Sequence, residues 1–280
     1  MLRLEGLVSV GNGALAVALI AAALSGVAAL VAFKKLPPAL ALIAAIAACC
    51  ALSAGATSFD QRTSSSLRHT LPDDLRWVDH AHLGDVDLVA PPGAHREQSW
   101  EQLFWNTSVK RLLLLGSAPI DHFDAKHVRV ARDGRLVVDG RTDHRALLVQ
   151  TYASTVELTG VQRVRRELIF DLYRPVGTPR LRLIAAGRYA DEWLAPRGAI
   201  TVWSEQGGTL NLVVSMPAGT EVTPVRFNGR LVRVRPGQRV ALKFHVPGGG
   251  AWSLHFQSAK QGYLGDRPVS VRAPVVHFDG

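Results

Sequence analysis

The chain has 280 residues, with 32 Lys and Arg against 23 Asp and Glu for a formal net charge of +9, and only two Cys. Those two, Cys49 and Cys50, are adjacent, which excludes a disulfide framework. The basic excess comes without a stripe of Lys and Arg interleaved with aromatics. Nucleic acid is therefore excluded as a partner, while anionic headgroups and anionic glycans stay open beside a merely solvated surface.

The amino-terminal fifth sets the organisation. Residues 14–33 carry no charge and one polar side chain, Ser25, and residues 39–56 are equally uncharged. A 20-residue helix is roughly 30 Å long, the hydrocarbon thickness of a bilayer. The two runs predict a transmembrane hairpin within residues 1–57, with Pro37-Pro38 stopping one helix and starting the next. Lys34-Lys35 in the short connection keep it cytoplasmic, so the rest of the chain is expected outside the plasma membrane. Arg3 votes weakly the other way. Ile46-Ala47-Ala48-Cys49 also reads as a lipoprotein cleavage box and Ala54-Gly55-Ala56 as a signal-peptidase site, but both lie behind a complete first span.

Residues 58–69 form a polar linker. Residues 70–122 read as a small α/β unit. A helix starts at Thr70 with Asp73-Asp74 in its first turn, carries Leu75, Trp77 and Val78, and ends before Gly84. A strand over 86–90 follows. A second helix over 99–109 carries Trp100, Leu103, Phe104 and Thr107 at helical spacing, and Leu112-Leu113-Leu114-Leu115 makes a buried strand. Strand, helix and strand in so short a stretch predict a parallel pair. From 123 to 280 the pattern becomes short β runs, including 127–131 with 136–138 across Asp133-Gly134, then 146–152, 167–173, 180–185, 199–204, 209–215, 222–227, 231–234, 239–246, 251–257 and 269–278. Asn228-Gly229 is the clearest tight turn. The expected fold is thus a membrane helical hairpin followed by an α+β region, a small α/β unit packed on an antiparallel β-sandwich, jelly-roll-like and similar to carbohydrate-binding modules.

No catalytic signature is present: no G-x-S-x-G, H-E-x-x-H, P-loop or G-x-G-x-x-G after a strand. No catalytic residue, cofactor or metal site is assigned. His80 and His82 point apart on a helix, and strand alternation should expose both carboxylates of Asp85-Val86-Asp87. Aromatics beside polar groups suggest sugar contact, because sugars stack their C–H faces on rings while acids and amides take their hydroxyls. Tyr189, Asp191 and Trp193 form one such group between strands, and Trp252, Tyr263 and Asp266 a second near the carboxyl end. Trp203 sits mid-strand and reads as core.

Trp77-Val78-Asp79, the run from Trp100 through Phe104-Trp105-Asn106 to Val109, the loop from Gly187 to Trp193, and Asp266-Arg267-Pro268 resemble, together with the hairpin, the carboxyl-terminal part of actinobacterial membrane glycosyltransferases of the GT-C class. The resemblance spans nearly the whole chain on loose motifs. It implies an extracytoplasmic α/β-plus-β-sandwich region attached to a membrane core that draws on polyprenyl-phosphate sugars. This chain departs from such enzymes in having two apolar spans and, before the first, Glu5 as its one acid. The expected function is therefore a membrane-anchored, extracytoplasmic module that binds or positions cell-envelope glycan and is not catalytic alone. The alternatives are a glycosyltransferase component completed by a multi-pass partner chain, and a structural envelope protein that contacts other proteins.

Overall fold

The computed structural model describes residues 72–116, 125–265 and 267–280. All belong to one compact unit, Pro72–Gly280. Both apolar runs of the expected hairpin, with Cys49 and Cys50, lie outside the described residues. Among the described residues no helix is long and apolar enough to cross a membrane.

The unit is mostly strand. β1 (Val86–Ala90), α1 (Arg96–Trp105) and β2 (Val109–Leu114) form the expected strand–helix–strand, with β1 and β2 parallel and β3 (Ala125–His127) parallel beyond them. The helix expected after Thr70 is replaced by turns and a single 3-10 turn over Asp79–Ala81. The reason is local competition: Asp74 takes the Arg76 N–H, and Asp79 turns away to accept from Thr107 and Ser108.

α1 also presents a different face from the expected one. Ser99, Gln102 and Asn106 are buried, whereas Trp100 and Phe104 are exposed. The inward stripe is polar because it meets a polar seam. Gln102 accepts from the Trp77 indole at 3.0 Å, and Asn106 takes the Val78 N–H at 3.0 Å and gives to the Leu75 carbonyl at 3.1 Å. Gln150 reaches the Ser99 hydroxyl at 3.0 Å.

Beyond β3 come a three-stranded patch of β4 (Arg129–Val130), β5 (Leu136–Val138) and β6 (Arg141–Thr142), then β7 (Ala146–Gln150), the long pair β8 (Ser154–Glu167) and β9 (Phe170–Arg188), and β10 (Leu194–Ser204). The rest is β11 (Gly208–Ser215), β12 (Thr223–Phe227), β13 (Arg230–Val234), β14 (Arg239–Val246), β15 (Gly250–Ser258), β16 (Gly262–Leu264), β17 (Arg267–Val269) and β18 (Arg272–Asp279). One sheet runs β13-β12-β15-β10-β9-β7-β1-β2-β3, with β8 paired to β9. β7 joins its parallel and antiparallel parts, pairing parallel with β1 and antiparallel with β9. The strands of the α/β unit and of the following region therefore share one ladder.

A second sheet, β14-β11-β18, faces the antiparallel half. Leu183, Ile200, Val202 and Leu254 of the first sheet pack against Leu210, Leu212, Val214, Leu242 and Phe278 of the second. Two sheets across one apolar layer make this half a β-sandwich. The parallel half has its own core, Trp77, Val78, Val86, Leu88, Val109, Leu148, Phe170 and Leu172, under α1 and the turns before it.

Candidate functional site

Turn and bulge chemistry places the aromatic candidates. After β9 the chain turns at Tyr189–Glu192. Glu192 donates its N–H to the Tyr189 carbonyl at 2.9 Å and sits at φ 71, and the Tyr189 N–H meets the Trp193 carbonyl at 2.9 Å. Trp193 bridges to Arg272, and the pairing of β10 with β9 shifts register between Leu194 and Ala199. Trp193, just ahead of that irregularity, leans half-buried against the sandwich core.

Trp193 lines a concavity of about 410 Å³ together with Met216, Glu221, Lys260, Gln261 and Tyr263. Tyr263 is 61% exposed at its rim, on the β16–β17 hairpin, and its hydroxyl accepts from Gln261 Nε2 at 3.1 Å. On the far wall Lys260 Nζ and Glu221 Oε2 pair at 2.5 Å, which holds the Glu221 carboxyl below its ordinary pKa. Ser270 gives its hydroxyl to the Leu194 carbonyl at 3.2 Å and fixes the floor. The hollow thus combines two ring faces, an exposed ion pair and an amide, the groups that hold a sugar ring and its hydroxyls.

The other sequence candidates go elsewhere. Tyr189 is buried, 7% exposed, with the Arg267 guanidinium over its ring at 4.9 Å and its hydroxyl 3.5 Å from the Pro268 carbonyl. One face of the ring is thus already stacked on a cation. Burial raises its phenol pKa. Asp191 is spent on Arg267 at 2.6 Å, a hydrogen bond that holds the guanidinium still more firmly protonated, and Glu192 pairs with Arg272 at 2.7 Å. These pairs latch the 189–193 turn onto β17 and β18. Trp252 is half-buried against the same core, in register with Val202, so it lies roughly 30 Å along β10 from Trp193. Asp266 lies outside the described residues.

Asp85 and Asp87 both pair with Arg145, at 3.6 and 3.4 Å, and the expectation that both are exposed fails for Asp87, which is fully buried. β1 is covered on both faces, so alternation does not apply to it. Asp87 receives a short bidentate contact from Arg111, and Arg145 stands 3.4 Å away. Asp143, also buried, takes the Arg145 N–H at 3.3 Å and the Arg111 guanidinium at 3.4 Å on Oδ1, while no donor reaches its buried Oδ2. Burial, a hydrogen bond with the Asp87 carboxyl and that group's charge push the Asp143 carboxyl up to about 6. No group of three or more His, Cys, Asp or Glu with metal-holding geometry occurs among the described residues.

Lys260, Glu221 and Gln261 were not singled out by the sequence reading. They come from loops after β11 and β15 and acquire meaning through the fold that sets them around Trp193.

No family model matches the chain, and no curated protein matches it. Among solved structures, similarity is found to the exo-β-1,3-galactanase of Phanerochaete chrysosporium with β-1,3-galactotriose, at 16% identity over 47% of this chain and 29% of that one, with a TM-score of 0.20. The chain thus spans under a third of that protein's length, and at this TM-score the likeness carries no functional argument.

Proposed function

We propose that the chain is a membrane-anchored extracytoplasmic module that binds a cell-envelope glycan in the Trp193–Tyr263 hollow, in the manner of carbohydrate-binding modules. The observation that carries this reading is the meeting of two sequence candidates, from segments about 70 residues apart, in one open concavity of about 410 Å³ rimmed by polar groups. The uncharged runs 14–33 and 39–56 support the anchor, and Lys34-Lys35 support an outward-facing sandwich. The resemblance to the tail of a GT-C glycosyltransferase belongs to the same proposal, with a lipid-linked donor handled by a multi-pass partner chain.

The test is glycan-array binding by the full chain in detergent. Tyr263→Ala is expected to weaken binding roughly 2- to 12-fold, the worth of one aromatic stacking contact of about 0.5–1.5 kcal/mol. Trp193→Phe weakens it less, and Trp252→Phe leaves it unchanged. Absence of any glycan binding, or binding indifferent to Tyr263→Ala, overturns the assignment.

A further inference from the structure

We infer that the outward face of α1 docks on the interfacial zone of a phospholipid bilayer, an inference that rests on the membrane-anchored reading above. Two turns of this helix expose three large aromatic side chains, Trp100 at 37%, Phe104 at 78% and Trp105 at 40%. Phe104 and Trp105 meet edge to face at 4.9 Å, so they form one patch. Leu168, 44% exposed, stands at the tip of the β8–β9 hairpin, and its neighbour Ile169 packs on the same core as Leu103 of α1.

A rigid helix does not expose such a group by slack. Its inward side is pinned by Gln102 on Trp77, Asn106 on Val78 and Ser99 on Gln150. The face is also no continuation of the glycan hollow, whose lining includes no residue of α1.

Chain connectivity selects the occupant. Asn106 ties the carboxyl end of α1 to residues 75–79, and the described chain begins at Pro72. The second uncharged run ends at residue 56, so 15 residues, at most roughly 50 Å of extended chain, lead from it to the end of the unit that carries the aromatics. Trp and other amphipathic rings settle at the headgroup level of bilayers.

Charge does not drive the contact. Glu97 and Glu101 share the helix face, while of the nearby Arg163, Arg165 and Arg166 one pairs with Glu167 and two divide Asp171, so acids and bases nearly balance. The docking should therefore be insensitive to salt and should not require anionic lipid.

The sequence supplies its own probe, because all six Trp lie between 77 and 252. The full chain is reconstituted in phosphatidylcholine vesicles whose acyl chains carry bromine close to the headgroup, and Trp emission is compared with unbrominated vesicles. The expected result is a drop of at most about a third, the share of two Trp in six, unchanged by high salt. Trp100→Phe combined with Trp105→Phe should abolish the drop while keeping the rings, and Phe104→Asp should diminish it. Equal emission in the two lipids, or a drop that survives the double Phe variant undiminished, overturns the inference. An alkaline wash keeps the two readings apart. Stripping of the chain from the vesicles sinks the anchor, and quenching of chain added to preformed brominated vesicles then decides the docking.

Discussion

Replacing Asp143 by Asn tests the raised Asp143 carboxyl directly. Burial, the hydrogen bond with Asp87 and the charge of Asp87 raise the Asp143 carboxyl from an ordinary 3.8 to about 6. The folded chain then holds this proton more tightly than the unfolded chain does. The stabilisation is complete below pH 3.8 and is lost as the pH rises through 6. The difference corresponds at most to about 3 kcal/mol. Asn keeps the acceptor that meets Arg111 and the Arg145 N–H, and it replaces the buried, partnerless Oδ2 by an uncharged amide nitrogen. The variant should therefore match the wild type near pH 4 and exceed it by up to about 3 kcal/mol at pH 7.5, or about 6–12 °C in Tm for a unit of this size. The assay is thermal unfolding of the full chain in detergent, followed by Trp emission at several pH values, since every Trp lies in the described unit. A variant no more stable than wild type at pH 7.5, with the same pH profile, refutes the raised carboxyl.

Asn106→Ala should cost about 2–4 kcal/mol in the same assay, because it strips a fully buried side chain from the Val78 N–H and the Leu75 carbonyl and leaves both unpaired. Gly134→Ala should destabilise by about 2 kcal/mol or more. A Cβ there would stand 2.1 Å from the Leu181 carbonyl oxygen at φ +84, and unchanged stability would contradict that packing. Arg267→Ala removes a partly exposed pair with Asp191 and should change global stability by less than about 1 kcal/mol. It should nonetheless speed hydrogen exchange across residues 262–269 and lower glycan affinity with Trp193 and Tyr263 intact.

Much of the strand pattern was legible where local chemistry decides it. Asn228 and Gly229 take φ 44 and 85, the left-handed pair a tight hairpin needs, and β12 and β13 flank them close to their expected bounds. The parallel pairing of β1 with β2 also follows from sequence order alone. β8 went unread because its residues 161–166 are Val-Gln-Arg-Val-Arg-Arg, interrupted upstream by Gly160, and lack a buried face that would mark them. Its partner β9 supplies the order, running unbroken from Phe170 to Arg188 where two separate strands were expected. The inversion of α1 has a similar origin. Apolar periodicity assigns Trp100 and Phe104 inward, but Gln102 and Asn106 have partners on Trp77 and Val78 that no helical pattern reveals. Tyr189 and Asp191 were legible as a polar–aromatic group, yet whether Arg267 reaches them is a tertiary fact.

The place of the candidate hollow follows from where each ladder ends. In the parallel half both faces of β1 and β7 are buried, so their residues are committed to packing and to the ion pairs of Asp87. In the antiparallel half one face of the large sheet is spent on β11, β14 and β18. On the sheets themselves a margin is where an aromatic hollow finds room, and the register break between Leu194 and Ala199 provides one beside the short β16–β17 hairpin. The ion pairs of Asp191 with Arg267 and Glu192 with Arg272 tie that hairpin and the start of β18 to the turn that carries Trp193. Two rings from distant parts of the chain are thereby held in a fixed relation. Tyr189 and Asp191, through their contacts with Arg267, belong to the clasp that fixes the hairpin carrying Tyr263.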